Sequence, residues 1–392
     1  MQRLAGTVRH YAWGSPTAIP ALLGCAATGE PVAEYWLGAH REAPSAVGDT
    51  TLDVFLRDHP DYVGDRCLKA FGDQFPVLMK LLAAQHPLSL QAHPDREQAE
   101  EGYALENDAG TALDAPERTY RDTWPKPELI VALTPFEALC GFRDPAVSTT
   151  LFEQIGVGEE VKSVIGPLTQ RRGPAAFAEV FLDVLSLDDS RLIDQVLTAA
   201  RGYLQDHSET SETGRFAQTA VYLDTYFPAD PGIFAALLLN RVTLAPGQGL
   251  YLPPHTLHSY LHGVGVEVMA SSDNVVRGAL TKKHVDIDEV IHVVDFTPRV
   301  PAPVETEQEG VFTRYLTPTP EFAAWRGELG RDDAVLPRTD ACRIVIALDG
   351  TAVLHRGDVD VTLAPGEAAV LGYGEEVNAH GDATLFITSP GV

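Results

Sequence analysis

Two residues apart in the run LSLQAHPD (88–95) stand an amide and an imidazole, Gln91 and His93. On a strand, positions i and i+2 face the same side, which aims a carboxamide oxygen and a ring nitrogen at one point. The plainer alternative is a Gln and a His bonded to backbone at a strand end. His86, at the turn into this strand, reads as exposed. A second pair follows in WPKPELIVAL (124–133), where two prolines fix the approach of the chain and leave Lys126 and Glu128 at the mouth of an apolar strand. A carboxylate opening a buried strand needs a cation to offset its desolvation, either a metal or Lys126 itself. A third stretch, PPHTLHSYLHGVGVEVMASSDNVVRG (253–278), supplies His255, His258 and His262, then Glu267, then Asp273, Asn274 and Arg277. One of those three histidines, joined to Gln91, His93 and Glu128, makes a sulfur-free four-ligand set suited to a borderline or hard divalent cation. Spacing does not say which one. Such a set carries one formal negative charge, so a bound dication keeps Lewis acidity.

These residues need strands to hold them. Up to about Arg143, short apolar runs such as 75–82 and 129–133 alternate with Pro and Gly clusters, the pattern of strands joined by irregular loops, with one helical island at 95–105. After Pro145 the period changes. Phe177, Val180, Phe181, Val184 and Leu185 recur at helical spacing, as do Phe216, Ala220, Leu223 and Phe227, while 206–214 (DHSETSETG) reads as an exposed loop. From about Phe234 strands return. The segments 244–247 and 363–366 are both L-A-P-G, each followed by a short apolar run and a His-bearing turn, a recurrence suited to two small double-sheet β-barrels with a helical insert between them.

At 392 residues the chain has room for two to three domains of about 150 residues. With 29 Lys+Arg against 55 Asp+Glu the formal net charge is -26, which repels nucleic acid and anionic membrane. Hydrophobic residues at 45% keep the chain out of the disordered class. Cys25, Cys67, Cys140 and Cys342 lie far apart without a CxxC pair, and read as buried thiols in a reducing compartment. The opening residues lack an apolar h-region and the run 233–239 stops at Asn240 and Arg241, so the expected location is the cytoplasm. Neither GxGxxG after a strand nor GxxxxGK[ST] is present, so nothing points to NAD or ATP.

YAWG (11–14), AEYWLGAH (33–40), FPVLMKLL (75–82), SLQAHPD (89–95), KPEL (126–129), ALCGFR ending at Arg143, PHTLHSYL (254–261) and VEVMASSDNVVRGALTKK (266–283) together resemble the type I phosphomannose isomerase family. The resemblance runs to about Lys283; the helical stretch and the last hundred residues fit by architecture more than by motif. It implies a mainly β protein with cupin-type double-sheet barrels (jelly rolls) and a helical domain, divided as 1–145, 146–232, 233–303 and 304–392. It further implies one zinc per chain on Gln91, His93, Glu128 and His258, which leaves His255 a loop residue and His262 a surface one. Arg277, Lys283 and Lys126 would line the substrate pocket, with Trp13 and Asp273 as further substrate contacts. One departure is Trp124-Pro125 where many relatives carry Asn-His before Lys-Pro-Glu, which predicts a pocket wall of altered polarity. His255, where relatives often have a small polar residue, has no account at this level.

The activity so implied interconverts mannose 6-phosphate and fructose 6-phosphate, in carbohydrate metabolism and GDP-mannose biosynthesis, by moving a proton between C2 and C1 through an enediol. Such a step needs a base near both carbons. Glu267, on a strand leaving the metal-binding turn, is the favoured one, with Asp273 and Lys126 as rivals and a plain salt bridge from Glu267 to Arg277 as the structural alternative. Arg277, with Lys126 or Lys283, would supply the positive charge that a sugar phosphate requires. Two readings compete: another metal-dependent cupin enzyme, such as an oxygenase or epimerase, and a catalytically silent sugar-phosphate-binding cupin. The expected partner is the small sugar phosphate alone, without nucleic acid or membrane, and a monomer is favoured. The region after about Val304 is expected to be metal-free, with His355 and His380 standing apart.

Overall fold

The computed structural model describes residues 1–171, 173–186 and 190–392. Among the described residues, two large strand systems, a helical unit and a small two-stranded sheet (Ala46–Val47 with Thr50–Thr51) make up the molecule. The first system is organised by the long strand His258–Ala270, which pairs with Val77–Ala84 and Glu128–Ala132 along its second half and with Phe136–Phe142 and Gln91 along its first. The change of partners falls at a register shift between Tyr260 and His262, followed by Gly263 at φ 131°. A Cβ there would stand 2.7 Å from the Phe136 ring, so only glycine lets the strand turn this corner and serve both sheets. Leu90–Ala92 adds to the same edge and carries Val276–Ala279 beyond it. The second system runs Gln2–Leu4, Ala368–Leu371, Arg343–Arg356, Asn378–Ser389, Ala323–Leu329, Phe312–Tyr315, Thr306–Glu309. Among the described residues, hydrogen bonding closes neither system into a complete barrel.

The fold is mainly β with a helical insert, as the periodicity predicts. Helices run from Pro145–Gln154 to Gly232–Leu237, and Pro174–Leu185 buries Phe177, Val180, Phe181 and Val184 on the anticipated face. That face packs on the back of the sheet that carries Leu90, Ala92, Leu139 and Phe142, with Phe142 and Phe177 ring centres 5.0 Å apart. Each such phenylalanine removed from water contributes about 1.5–3 kcal/mol, so the insert braces the site's sheet from behind.

The structure differs from the sequence-based expectations in several places. Residues 18–71 contain short helices (Ala18–Leu22, Leu52–Asp58, Pro60–Val63, Asp65–Phe71) where strands and loops are expected; each spans too few turns to build a readable period. The helical island begins one residue later and runs further, Arg96–Asp108, under a capping box formed by Asp95 and Gln98. The apolar run at 232–237 is a buried helix rather than the start of a strand, and Leu239–Leu244 is the first strand after it. Gln2–Leu4 leaves the N-terminal unit altogether and pairs with Ala368–Leu371, and side chains of both systems share one core, including Leu37, Met79, Val266, Ile344 and Phe386. The two L-A-P-G turns are alike in detail: Gln248 and Glu367 each donate backbone N–H to the turn alanine and accept its N–H through the side chain. Cys67, Cys140 and Cys342 are buried and unpaired, but Cys25 is exposed.

Candidate metal and substrate site

Three strands and one turn bring the donor residues together. Gln91 lies on Leu90–Ala92, opposite His258 in the sheet, with His93 just past that strand's end, and Glu128 opens its own strand opposite Met269. His93, Glu128 and His258 are almost fully buried. The Nε2 atom of His93 is 3.1 Å from Glu128 Oε1, that of His258 is 3.2 Å from Glu128 Oε2, and Gln91 Nε2 is 3.5 Å from His258 Nε2. Rotating the Gln91 amide puts its oxygen at that spot. Each imidazole donates its Nδ1 proton to a carbonyl, His93 to Asn274 at 2.9 Å and His258 to Thr256 at 2.9 Å. That leaves the Nε2 lone pairs turned inward, the tautomer a metal takes.

A buried donor set fits a cation when its own members cannot satisfy one another. His93 Nε2 and Glu128 Oε2 are enclosed and have no hydrogen-bond partner despite their proximity. Burial and then the Lys126 charge push the His93 imidazole down to about 4, so it is neutral at physiological pH. Burial favours the neutral acid of Glu128, but its neighbours His93 and Lys126 outweigh it and hold the carboxyl well below the usual carboxylate range. Two neutral imidazoles, a carboxylate and an amide, without sulfur, match zinc or another borderline divalent ion.

Gln91 and Glu128 line a cleft of about 670 Å³, with the two buried imidazoles against Glu128. Lys126 Nζ lies 3.1 Å from Glu128 Oε1. Arg277, paired in the sheet with Gln91, and Lys283 also line the cleft, and among the described residues neither makes an ion pair with a carboxylate. Burial lowers both their pKa values, Arg121 lowers them further, and Arg277 does so for Lys283. Partly buried cations crowding one another this way are what an anion relieves. Trp13 stacks on Tyr11 at 5.7 Å at the rim. Asp273 reaches the cleft wall but is engaged by His40 at 3.2 Å and Arg41 at 2.9 Å.

Glu267 also lines the cleft, and its partner is Lys80, not Arg277: Lys80 Nζ is 2.9 Å from Oε2, while Tyr260 donates its hydroxyl to Oε1 at 2.9 Å. Lys80 reaches Glu34 as well, at 3.5 Å, and Glu34 accepts from the Trp36 indole at 2.8 Å. Burial raises the Glu267 pKa, opposed by Lys80 and reinforced by Glu128 and Glu34.

Several residues lie elsewhere than the sequence suggests. His86 is half-buried, lines the cleft and leaves its Nδ1 enclosed without a partner; its ring sits 4.7 Å from Tyr226 of the helical unit. Trp124 does not form the pocket wall. It packs on Phe71 at 5.6 Å and under the Arg96 guanidinium at 4.0 Å, so the Trp-Pro replacement alters a buried seam. His255, at φ 71°, bonds to Val293 O and Asp95, tying the turn before His258 to two helices. His262 is exposed. Lys80 and Arg121 carry parts that the sequence does not single out, and Asn274, named there without a role, has one. Asn274 accepts from Arg121 N and donates to Trp124 O while its own carbonyl holds His93. The signal for Lys80 was available: it is the one charge in VLMKLLAA, a strand buried along its whole length.

The family model for phosphomannose isomerase type I, catalytic domain, matches residues 1–145. Over 401 residues the chain is 36% identical to mannose-6-phosphate isomerase of Salmonella typhimurium, covering 98% of each chain. It is 35% identical to the Escherichia coli enzyme over 393 residues, with 97% of this chain and 98% of that one covered. Among solved structures, mannose 6-phosphate isomerase bound with zinc and yttrium superposes with a TM-score of 0.90 at 33% identity over the full length of both chains. A zinc-bound holo form gives 0.90 at 32% identity, covering 100% of this chain and 99% of that one.

Proposed function

Because the chain belongs to the type I phosphomannose isomerase family, we propose that its cleft interconverts mannose 6-phosphate and fructose 6-phosphate, with zinc held by Gln91, His93, Glu128 and His258. The observation that carries this is the pair of enclosed, unpartnered donor atoms, His93 Nε2 and Glu128 Oε2, where Glu128 lines a cleft that also presents unpaired cations. When bound, the ion supplies Lewis acidity toward the sugar oxygens beside C1 and C2.

The chain's own groups do the rest. Arg277 and Lys283 receive the substrate's negative charge, Arg277 as a planar fork and Lys283 as a point charge. Lys126, beside Glu128, presents an ammonium that neutralises charge developing on the enediolate oxygens. Glu267 takes the proton from C2 of the aldose as O1 gains a proton to give the enediol, and returns it to C1 as O2 gives up its hydroxyl proton and becomes the ketose carbonyl, so that one proton moves from C2 to C1 and one from O2 to O1; its raised pKa suits both halves of the carbon transfer. Lys80 keeps the Glu267 carboxylate oriented and, when Glu267 is protonated, still balances Glu34. Trp13 and Asp273 bound the sugar's place in the cleft.

The binding unit is drawn from residues 1–145, apart from Gln2–Leu4, and 233–303, braced by 146–232, with 304–392 a cupin-like partner that takes in Gln2–Leu4. We read the working form as a monomer, since the residues assigned here come from one chain. A reducing cytoplasm suits the unpaired thiols; no helix among the described residues is long and apolar enough to cross a membrane. The deciding experiment is a coupled assay on mannose 6-phosphate with the zinc-loaded protein, where absence of fructose 6-phosphate overturns the assignment. Solvent deuterium exchange at C1 and C2 tests the base: a Glu267→Gln variant exchanging at the wild-type rate removes Glu267 from that role.

A further inference from the structure

His355 and His380, expected from the sequence to stand apart, come together with Asp333 on the C-terminal sheet. The register explains how. Asn378–Ser389 is flanked by Arg343–Arg356 on one side and Ala334–Val335 on the other. His355 lies opposite Asn378 and Val353 opposite His380, so the two imidazoles are diagonal neighbours on one face. Leu354 and Ala379, between them, point into the core, which turns both histidines outward. Ala334 pairs with Ala379, and Asp333, one residue earlier, therefore meets His380. A backbone bond from Gly381 to Gly330 at 2.9 Å holds this turn against the sheet.

The geometry points to a second divalent-cation site, formed by Asp333, His355 and His380 and separate from the cleft. Asp333 reaches one imidazole with each carboxylate oxygen, His380 Nδ1 at 3.0 Å and His355 Nε2 at 3.4 Å, with ring centres 5.7 Å apart. The first site has the same form, with Glu128 between His93 at 3.1 Å and His258 at 3.2 Å and ring centres 5.2 Å apart. Donors around a tetrahedral zinc at bond lengths near 2.0–2.1 Å stand about 3.3 Å from one another, so both clusters have the span of a coordination shell. The independent sign of a missing partner is His355 Nε2, which is enclosed yet makes no hydrogen bond. Two imidazoles and a carboxylate select zinc, cobalt, nickel or copper over magnesium and calcium, and leave a position for water. An ion here would join three neighbouring strands and fasten the 330–333 turn, bolting the sheet rather than reaching the cleft.

The test uses the full chain with its first site loaded. Wild type and a His355→Gln/His380→Gln double variant are dialysed against the same buffered zinc, and bound zinc is counted by elemental analysis. Wild type should hold one zinc per chain more than the double variant, with equal turnover of mannose 6-phosphate. Zinc added to the singly loaded proteins should raise the wild-type Tm and leave that of the double variant unchanged, and excess magnesium should do neither. Asp333→Asn, a loop substitution, should lose the same zinc and guards against a folding defect in the strand variants. Equal zinc counts in wild type and double variant, or a zinc-dependent rise in Tm that survives the double substitution, would overturn the assignment.

Discussion

Replacing Lys80 by methionine keeps the side chain's length and removes its charge from between two buried carboxylates, Glu267 at 2.9 Å and Glu34 at 3.5 Å. Removing one member of a buried ion pair costs about 3–5 kcal/mol, because the other charge stays behind in a medium that does not solvate it. Glu34 keeps the Trp36 indole and Glu267 keeps the Tyr260 hydroxyl, so neither carboxylate is bare and the lower half of that range is expected at neutral pH. Glu267→Gln alone should cost less, about 1–3 kcal/mol, since Lys80 retains Glu34 and the amide still accepts from Tyr260. The double variant should then be more stable than the sum of the singles predicts by about 1–3 kcal/mol. Urea unfolding followed by tryptophan fluorescence reads this directly, with Trp36 beside the pair as the reporter. The pH dependence adds a second constraint. In Lys80→Met the Glu267 carboxyl, already raised by burial, loses its opposing cation, so its folded pKa lies above the unfolded value. Between those two values the folded state binds more protons, and the variant regains stability as pH falls, by at most about 1.4 kcal/mol per unit, until the unfolded value near about 4.3. Additivity of the two substitutions within about 0.5 kcal/mol, or a Lys80→Met penalty independent of pH, would refute the reading of Lys80 as the counter-charge of this pocket.

Exhaustive chelation should abolish turnover and zinc should restore it, and His258→Ala should lose both metal and activity while remaining folded; full activity with no metal by elemental analysis removes the Lewis-acid scheme. Arg277→Ala should raise KM for mannose 6-phosphate by about 10- to 100-fold, the loss of a charge-assisted contact worth about 1.5–3 kcal/mol, with Arg277→Lys in between; an unchanged KM places the phosphate elsewhere. Asp273 is held well below the usual range because His40 and Arg41 outweigh the upward pull of burial, so its pairing stabilises the fold above the unfolded pKa of about 3.9 and loses that contribution as pH falls toward the folded value. Asp273→Asn should therefore be destabilised at neutral pH and converge on wild type in acid, and a gap that stays constant from pH 7 downward contradicts this.

Local alternation explains which parts of the site were legible from sequence. Gln91 with His93, and Lys126 with Glu128, are close because a strand or its end places i and i+2 together, and those spacings survive in one dimension. The helical face from Phe177 to Val184 is readable for the same reason, with a different period. What register and sheet order create is not readable in that way. Lys80 meets Glu34 and Glu267 across 46 and 187 residues of chain, and its meaning appears once Val77–Ala84 is known to lie between Glu34–Gly38 and His258–Ala270. Asp333, His355 and His380 come from two strands and the turn before a third, with no shared motif. A motif position beside Lys-Pro-Glu predicts that Trp124 faces the cleft, whereas Asn274 holds the chain at 121–124 inward and the indole packs on Phe71.

The formal charge of -26 and an anionic substrate look opposed until the charges are located. Of the acidic groups in the cleft, Glu128 and Glu267 face Lys126 and Lys80, Glu34 faces Lys80, Glu42 faces Arg9, and Asp273 faces His40 and Arg41, so each carboxylate there already has a cation. Arg277 and Lys283 are left over, partly desolvated and crowded by Arg121, and they present positive charge inside a low-dielectric recess where it acts more strongly than surface charge does. Surface acids, screened within about 8–10 Å in ordinary salt, cannot cancel it. The sign that matters for binding is therefore fixed by which cations the cleft leaves unpaired, and the net charge of the chain governs solubility instead.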